Sequence, residues 1–259
     1  MNTTTAKPTA SNQTNYFACW LAHFEANRLN RPEPEWDAPF AMPEHKRRLL
    51  ARSLAEYQLG DGGGPCQLIA HDAHSFTGTS TETRCVVQEW FREEAEHSRL
   101  LAGAVRRVGG EFITTTFAFR LFCWCRRVVS VQFELLVLLV VEIVSTGYYR
   151  VIRRHVGDRP IEDMCKLILR DEARHIDFHR DRLALRYPRG VGALWAMRFR
   201  VLGLACASFL WLGHGRCLRA LGATRREFFA HVSGGTNEFL RELALITPPA
   251  AHSCQQDAP

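Results

Sequence analysis

Two segments of this chain, Glu94-Ala95-Glu96-His97 and Glu172-Ala173-Arg174-His175, share the spacing Glu-x-x-His. Residues three apart on a helix leave the same face, so each segment presents a carboxylate and an imidazole side by side. One such pair is common on solvated helices. Two of them, separated by a strongly apolar helix that carries Glu142, form the pattern of a carboxylate-bridged dinuclear metal bundle. That pattern restricts the fold to all-α: a four-helix bundle with additional C-terminal helices.

The rest of the chain agrees with that fold. Pro43 stands where a first-turn proline opens a helix through Leu49, Leu50, Leu54 and Tyr57. The run Gly60-Asp61-Gly62-Gly63-Gly64-Pro65 interrupts it, and a shorter helical piece is expected from Cys66 to Phe76. Thr79 and Glu82 have the form of a capping box opening a second long helix to Val108, closed by Gly109-Gly110. A third long helix is expected from Phe117 to Arg154. A fourth follows over 160–187, with Asp158 as its N-cap. Two more are expected over 192–220 and 224–245, the last opened by Thr224 and Glu227. The expected organisation is a flexible leader and short covering helix over 1–42, the bundle over 43–188, packed helices over 189–247 and a disordered tail over 248–259. Within the leader, 1–15 is expected to be disordered and 16–30 to form the covering helix.

A membrane span is the rival reading for the third helix. Its uninterrupted apolar run, Leu135 to Val141, is shorter than the roughly 20 residues a span needs. Glu134 and Glu142 would each cost about 3 kcal/mol at mid-bilayer. A helix buried inside a soluble, cytoplasmic bundle is favoured, with no membrane span. The 259 residues are 46% hydrophobic, with 16 Phe and 6 Trp, which suffices for a large core. The net charge of +6 comes mainly from arginines spread along helices. That distribution favours solvated faces, or an anionic substrate or acidic carrier, over nucleic acid. Nine cysteines without a Cys-x-x-Cys pair exclude a zinc framework and read as reduced core residues.

In an antiparallel helix pair, residues equally far from the turn lie at one level. With the turn near 157, Glu172 lies 15 residues after it and Glu142 15 before it. Glu134 lies 23 before it, about 12 Å too far along the axis. With the other turn near 77, Glu94 lies at 17 and Asp61 at 16, while Glu56 at 21 is about 6 Å off that level. The expected ligands are therefore Asp61, Glu94, His97, Glu142, Glu172 and His175, with Glu56 held in reserve. Four carboxylates and two imidazoles balance two divalent cations. This oxygen and nitrogen set suits two Fe ions, or Mn, better than a thiophilic metal. His179, one turn beyond His175, could complete a mononuclear site with Glu172 and His175, and is preferred as a group that supports a ligand. Glu134 is read as a buried partner of an arginine or as a group supporting a ligand, and Tyr148 and Tyr149 as core packing.

At these residues the chain resembles the ferritin-like di-iron carboxylate superfamily. Arg170-Asp171-Glu172-Ala173-Arg174-His175 and Glu93-Glu94-Ala95-Glu96-His97 are similar to the two Glu-x-x-His segments of acyl-carrier-protein desaturases. The order of acids and histidines over 56–175 also resembles rubrerythrin-like proteins and tRNA-modifying di-iron hydroxylases. The closest resemblance, over 45–187, is to uncharacterised bacterial ferritin-like domain proteins, through Tyr57-Gln58-Leu59-Gly60-Asp61 and the apolar run 134–143. Where that group usually carries Glu after Gln-Leu-Gly, this chain has Asp61. The resemblance implies a ferritin-like four-helix bundle with a dinuclear non-haem iron site, without naming a substrate. The expected function is a dioxygen-activating oxidoreductase of the oxygenase, hydroxylase or desaturase type. It would act on a small-molecule or carrier-bound substrate and draw on a separate electron donor, with a homodimer among the assemblies allowed. Ferroxidase or iron handling, and a metal-free interaction module, are the alternatives.

Overall fold

The computed structural model describes residues 10–29, 31–61, 81–128, 131–187 and 189–246. These residues form eight helices and, among the described residues, no strand. They are α1 (Ala10–Leu29), α2 (Glu44–Asp61), α3 (Thr81–Arg107), α4 (Phe117–Val128), α5 (Val131–His155), α6 (Arg159–Arg186), α7 (Ala193–Leu221) and α8 (Arg225–Leu245). The helix expected from Phe117 to Arg154 is thus represented by two elements, α4 and α5. The covering helix is already formed at Ala10, the first described residue, ahead of the expected Tyr16. The expected helical piece over 66–76, the capping residue Thr79, the first nine residues and the tail lie outside the described residues.

Helix ends follow local chemistry. The Asp158 carboxylate accepts from the Ile161 backbone N–H, and Gly157, at φ +62, supplies the left-handed residue that lets the chain turn into α6. Thr224 Oγ1 accepts from the Glu227 N–H at 3.1 Å, the capping contact its spacing predicts. After α3, the Gly110 N–H returns to the Val105 carbonyl at 2.8 Å and closes the helix at the expected glycine pair.

The bundle consists of α2 packed on α3 and α5 packed on α6, with α3 against α6 joining the two pairs. The ring closes between α2 and α5, where Tyr57 stacks on Tyr148 at 3.9 Å between ring centroids. Leu50, Leu54, Leu101, Val105, Leu139, Ile152, Ile161 and Ile168 fill the interior without measurable exposure. At about 25 cal/mol per Å² of apolar surface removed from water, such residues supply the main drive for assembly. α1 lies on α3, whereas α7 and α8 pack on α5 and on each other. A Cβ at Gly147 of α5 would come within 2.9 Å of Val232 Cγ2, so that glycine sets how closely α8 approaches.

Among the described residues, two helices are long and apolar enough to cross a membrane, and their burial differs. The apolar window within Phe133–His155 is 67% buried, as expected for the central helix of a bundle. That within Ala193–Leu221 is only 17% buried, leaving Val201, Leu204, Phe209 and Leu212 facing outward. The cysteines depart from the all-reduced reading. Cys19, Cys85, Cys165, Cys206 and Cys217 are free, but Cys123 is disulfide-bonded. The residue spacing that argues against a zinc site says nothing about pairs brought together by folding.

Arg107 anchors the end of α3 to the start of α6. Its Nε and Nη2 donate to the two Asp158 oxygens at 2.8 and 2.7 Å, and its Nη1 donates to the carbonyls of Trp36 and Ala38. Both side chains are nearly sealed, at 3% and 7% exposure. Truncating the cation leaves a buried carboxylate without its partner. Arg107→Met is expected to lower the unfolding free energy by about 3 kcal/mol, read by urea denaturation with an unchanged slope. Arg159→Met, which breaks the solvated pair with Asp163, is expected to cost less than about 1 kcal/mol.

Candidate metal centre

The antiparallel pairs bring ligand-type atoms of Glu94 (α3), Glu142 (α5), Glu172 and His175 (α6) within 4.8 Å of one another. His97 adjoins this group, its Nδ1 standing 3.6 Å from Glu94 Oε2 and 3.9 Å from Glu172 Oε1. His97 and His175 have no measurable exposure, and Glu172 and Glu142 are 3% and 7% exposed. Level-matching across the 157 turn therefore places Glu142 with Glu172, as the residue counts predict. Glu134, two turns earlier, is buried in the wall at 1% exposure.

The imidazoles are held from behind by acids on the opposite motif. His97 Nε2 donates to Asp171 Oδ2 at 3.1 Å, and His175 Nε2 donates to Glu93 Oε2 at 3.0 Å. Asp171 directly precedes Glu172, and Glu93 directly precedes Glu94, so each motif orients the histidine of the other. Asn27 at the end of α1 bridges the two acids, donating to Glu93 at 2.5 Å and Asp171 at 2.9 Å. Arg31 adds the cation, 2.5 Å from Asp171 and 3.6 Å from Glu93. Because each Nε2 carries the donated hydrogen, each Nδ1 is turned toward the cluster, the arrangement a ligating histidine needs.

The inward atoms fit a metal. His97 Nδ1, His175 Nδ1, Glu142 Oε2 and Glu172 Oε2 are buried without a hydrogen-bond partner. Buried polar groups are rarely left so, and several converging on one point need a cation. His175 Nδ1 approaches Glu94 Oε1 to 2.9 Å, yet without the alignment of a hydrogen bond. The donor set of carboxylates and imidazoles suits iron or manganese.

Electrostatics show the same strain on the bare cluster. Burial, reinforced by the Glu94 charge, pushes the Glu142 carboxyl up to about 8. Burial and Glu94 push Asp61 up to about 8 as well. Burial alone would lower His97, but the hydrogen bond to Asp171 and the nearby Glu94 and Glu172 charges raise it to about 10. Burial would raise Asp171, yet its hydrogen bond from His97 and the Arg31 charge hold it below the usual carboxylate range. Without metal, protons stand in for the missing positive charge.

Asp61, the last residue of α2, lies outside the four-residue group but within electrostatic reach of Glu94, His97 and Glu172. Tyr149 Oη donates to its Oδ2 at 2.9 Å. Glu56 turns to Arg52 at 3.1 Å and to His214 at 3.8 Å. His179 is fully buried, with Nε2 3.4 Å from Glu142 Oε1. On one flank stands an aromatic and aliphatic wall of Phe24, Val86, Trp90, Leu135 and Phe178, and Trp90 Nε1 donates to Glu94 at 3.2 Å. The acids behind the histidines, Glu93 and Asp171, are the functional residues that motif reading misses. Their signal was an acid immediately before each Glu-x-x-His.

A helical bundle that gathers carboxylates and imidazoles in its sealed centre defines the class of carboxylate-bridged dinuclear metalloproteins. Within that class, the family model described as P-aminobenzoate N-oxygenase AurF matches residues 56–212, and the chain belongs to that family. It is a non-haem di-iron, dioxygen-activating oxygenase acting on a small organic substrate, and its cofactor is a di-iron centre. Comparison with curated proteins finds no match, and neither does comparison with solved structures. All six ligands expected from the sequence fall inside the matched span.

Metal must displace the protons on Glu142 and His97, so protons compete with it. Affinity for Fe(II) is expected to rise as pH rises from 6, as Glu142 loses its proton near 8, and to go on rising towards 10, where His97 loses its own. Anaerobic calorimetry in buffers of different ionisation enthalpy is expected to show at least about one proton released per metal at pH 7.

Proposed function

We propose that this chain oxygenates the amino nitrogen of an aromatic amine at a di-iron centre held by Asp61, Glu94, His97, Glu142, Glu172 and His175. The observation that carries the reading is the set of buried, unpartnered atoms of His97, His175, Glu142 and Glu172 converging between α3, α5 and α6. The name of the matched family supplies the reaction class. In balanced form an amine, one dioxygen, two electrons and two protons give a hydroxylamine and water. The irons, when bound, supply dioxygen binding and reduction.

The chain's own residues supply position and exclusion. Asp171 and Glu93 fix both imidazoles in rotation and tautomer, and Asn27 and Arg31 hold those acids in turn. Phe24, Trp90 and Phe178 are each at most 2% exposed and keep water from one flank. Such a wall favours a neutral planar ring over a charged chain. A separate reductase supplies electrons, the enzyme acts in the cytoplasm, and a homodimer is the proposed assembly. The bundle over 43–188 carries the site, and the helices over 189–247 buttress α5. Membership in an oxygenase family favours this reading over ferroxidase and over a metal-free module.

Anaerobic Fe(II) loading followed by oxygen, read by Mössbauer spectroscopy, is expected to give two irons per chain as a coupled diferric product. Glu172→Ala is expected to abolish it while leaving the helical circular dichroism intact. With a chemical reductant and p-aminobenzoate, mass spectrometry is expected to show a product heavier by one oxygen on nitrogen. Absence of stoichiometric iron in a well-folded protein would overturn the metal reading. Oxygen found on ring carbon would overturn the nitrogen assignment alone.

A further inference from the structure

The three buried histidines of the cluster are not equivalent, and their ring nitrogens show it. His97 and His175 turn Nδ1 inward and give Nε2–H to Asp171 and Glu93. His179 is reversed: Nε2 faces Glu142, and Nδ1 lies 3.2 Å from an Arg182 guanidinium nitrogen. A guanidinium has only donors, so Nδ1 must be the acceptor in that contact. A neutral imidazole whose Nδ1 accepts carries its hydrogen on Nε2. The inward atom of His179 is therefore an N–H, whereas the inward atoms of His97 and His175 offer lone pairs once a metal displaces their protons.

We propose that His179 is a positioning residue rather than a metal ligand, giving its Nε2–H to Glu142 and thereby fixing which Glu142 oxygen faces the metals. Two placements on α5 and α6 support this. Nε2 of His179 is buried without a hydrogen-bond partner, and Glu142 Oε1 stands 3.4 Å away, near enough for a small rotation of either side chain to complete the bond. The other oxygen, Oε2, is among the unpartnered atoms of the metal cluster. Trp90 meets the His179 ring edge-on at 5.0 Å and closes one side of it, which limits its rotation. Ligation through Nε2 would require the opposite tautomer, with Nδ1–H directed at the Arg182 N–H. Two donors would then face each other in a buried site.

The inference rests on the proposed di-iron site for its purpose but not for its geometry, so the test has one arm that needs no metal. In metal-free full-length protein labelled with ¹⁵N-histidine, long-range ¹H–¹⁵N correlation reads each ring's tautomer. The His179 signals are those missing from His179→Gln or, should that variant not fold, from His179→Asn. The expected result is a neutral ring protonated on Nε2. A ring protonated on Nδ1, or on both nitrogens, would overturn the proposal.

The second arm is anaerobic Fe(II) titration of the wild type, His179→Gln and His179→Phe. Glutamine keeps an N–H donor and phenylalanine keeps only the shape. Two Fe(II) per chain are expected in all three, with affinity about 10- to 100-fold weaker in His179→Phe and restored to within a few-fold in His179→Gln. Loss of one full equivalent in His179→Gln would make His179 a ligand and overturn the proposal. Equal affinity in His179→Phe and wild type would overturn its positioning role. If the wild type binds no iron, the functional reading falls and takes that role with it, while the tautomer still reports whether the Arg182–His179 geometry holds.

Discussion

The structure depends on the burial of mutually repelling acids inside an apolar bundle. Glu142, Glu172 and their neighbours occupy a space that leucines would fill at far lower cost, so their presence demands positive charge at the same point. The protein meets part of that demand itself. Arg31 and Asn27 face Glu93 and Asp171 from the α1 end, and those acids hold the two imidazoles. The remainder, a set of lone pairs facing inward, is left for metal ions.

Arranging those lone pairs requires axial register between helices, not only a correct inward face. At 1.5 Å per residue, a one-residue slip of α6 against α3 would move Glu172 and His175 by about half a hydrogen-bond length relative to Glu94 and His97. Arg107 opposes such a slip by tying the last turn of α3 to the cap of α6 and to the carbonyls of the 36–38 segment. The cross-pairing of each motif's leading acid with the other motif's histidine opposes it again, nearer the site. Register is thus set twice by charge-assisted hydrogen bonds, with apolar contacts supplying the bulk of the stability.

Much of this was legible in the sequence because helices translate spacing directly into geometry. Glu94 with His97, Glu172 with His175, and the level match of Glu142 with Glu172 all follow from a period and a rise. Residues were missed where side-chain direction depends on a partner helix. Glu93 and Asp171 sit beside ligands and look like ordinary solvated acids until α1 covers them. The pairing of Cys123 is equally invisible to local spacing. Asp61 is followed in the sequence by Gly62-Gly63-Gly64-Pro65, which interrupts any helical period, so counting residues across it says less than it does for α5 and α6. The helix expected over 117–154 is described as α4 and α5, and residues 129–130 between them lie outside the described residues.

The reach of α1 also changes what counts as the working unit. The segment shared with the family, 56–212, holds every expected ligand, yet Asn27 and Arg31 lie well upstream of it. Phe24 of the same helix closes over His175, their ring centroids 6.0 Å apart. A chain cut back to the shared segment would keep every ligand expected from the sequence. It would lose the counter-charge behind them and the ring that shields them, and the acids that orient its histidines would themselves be unsupported. Shared ancestry and functional completeness therefore have different boundaries in this protein, and the N-terminal helix lies between them.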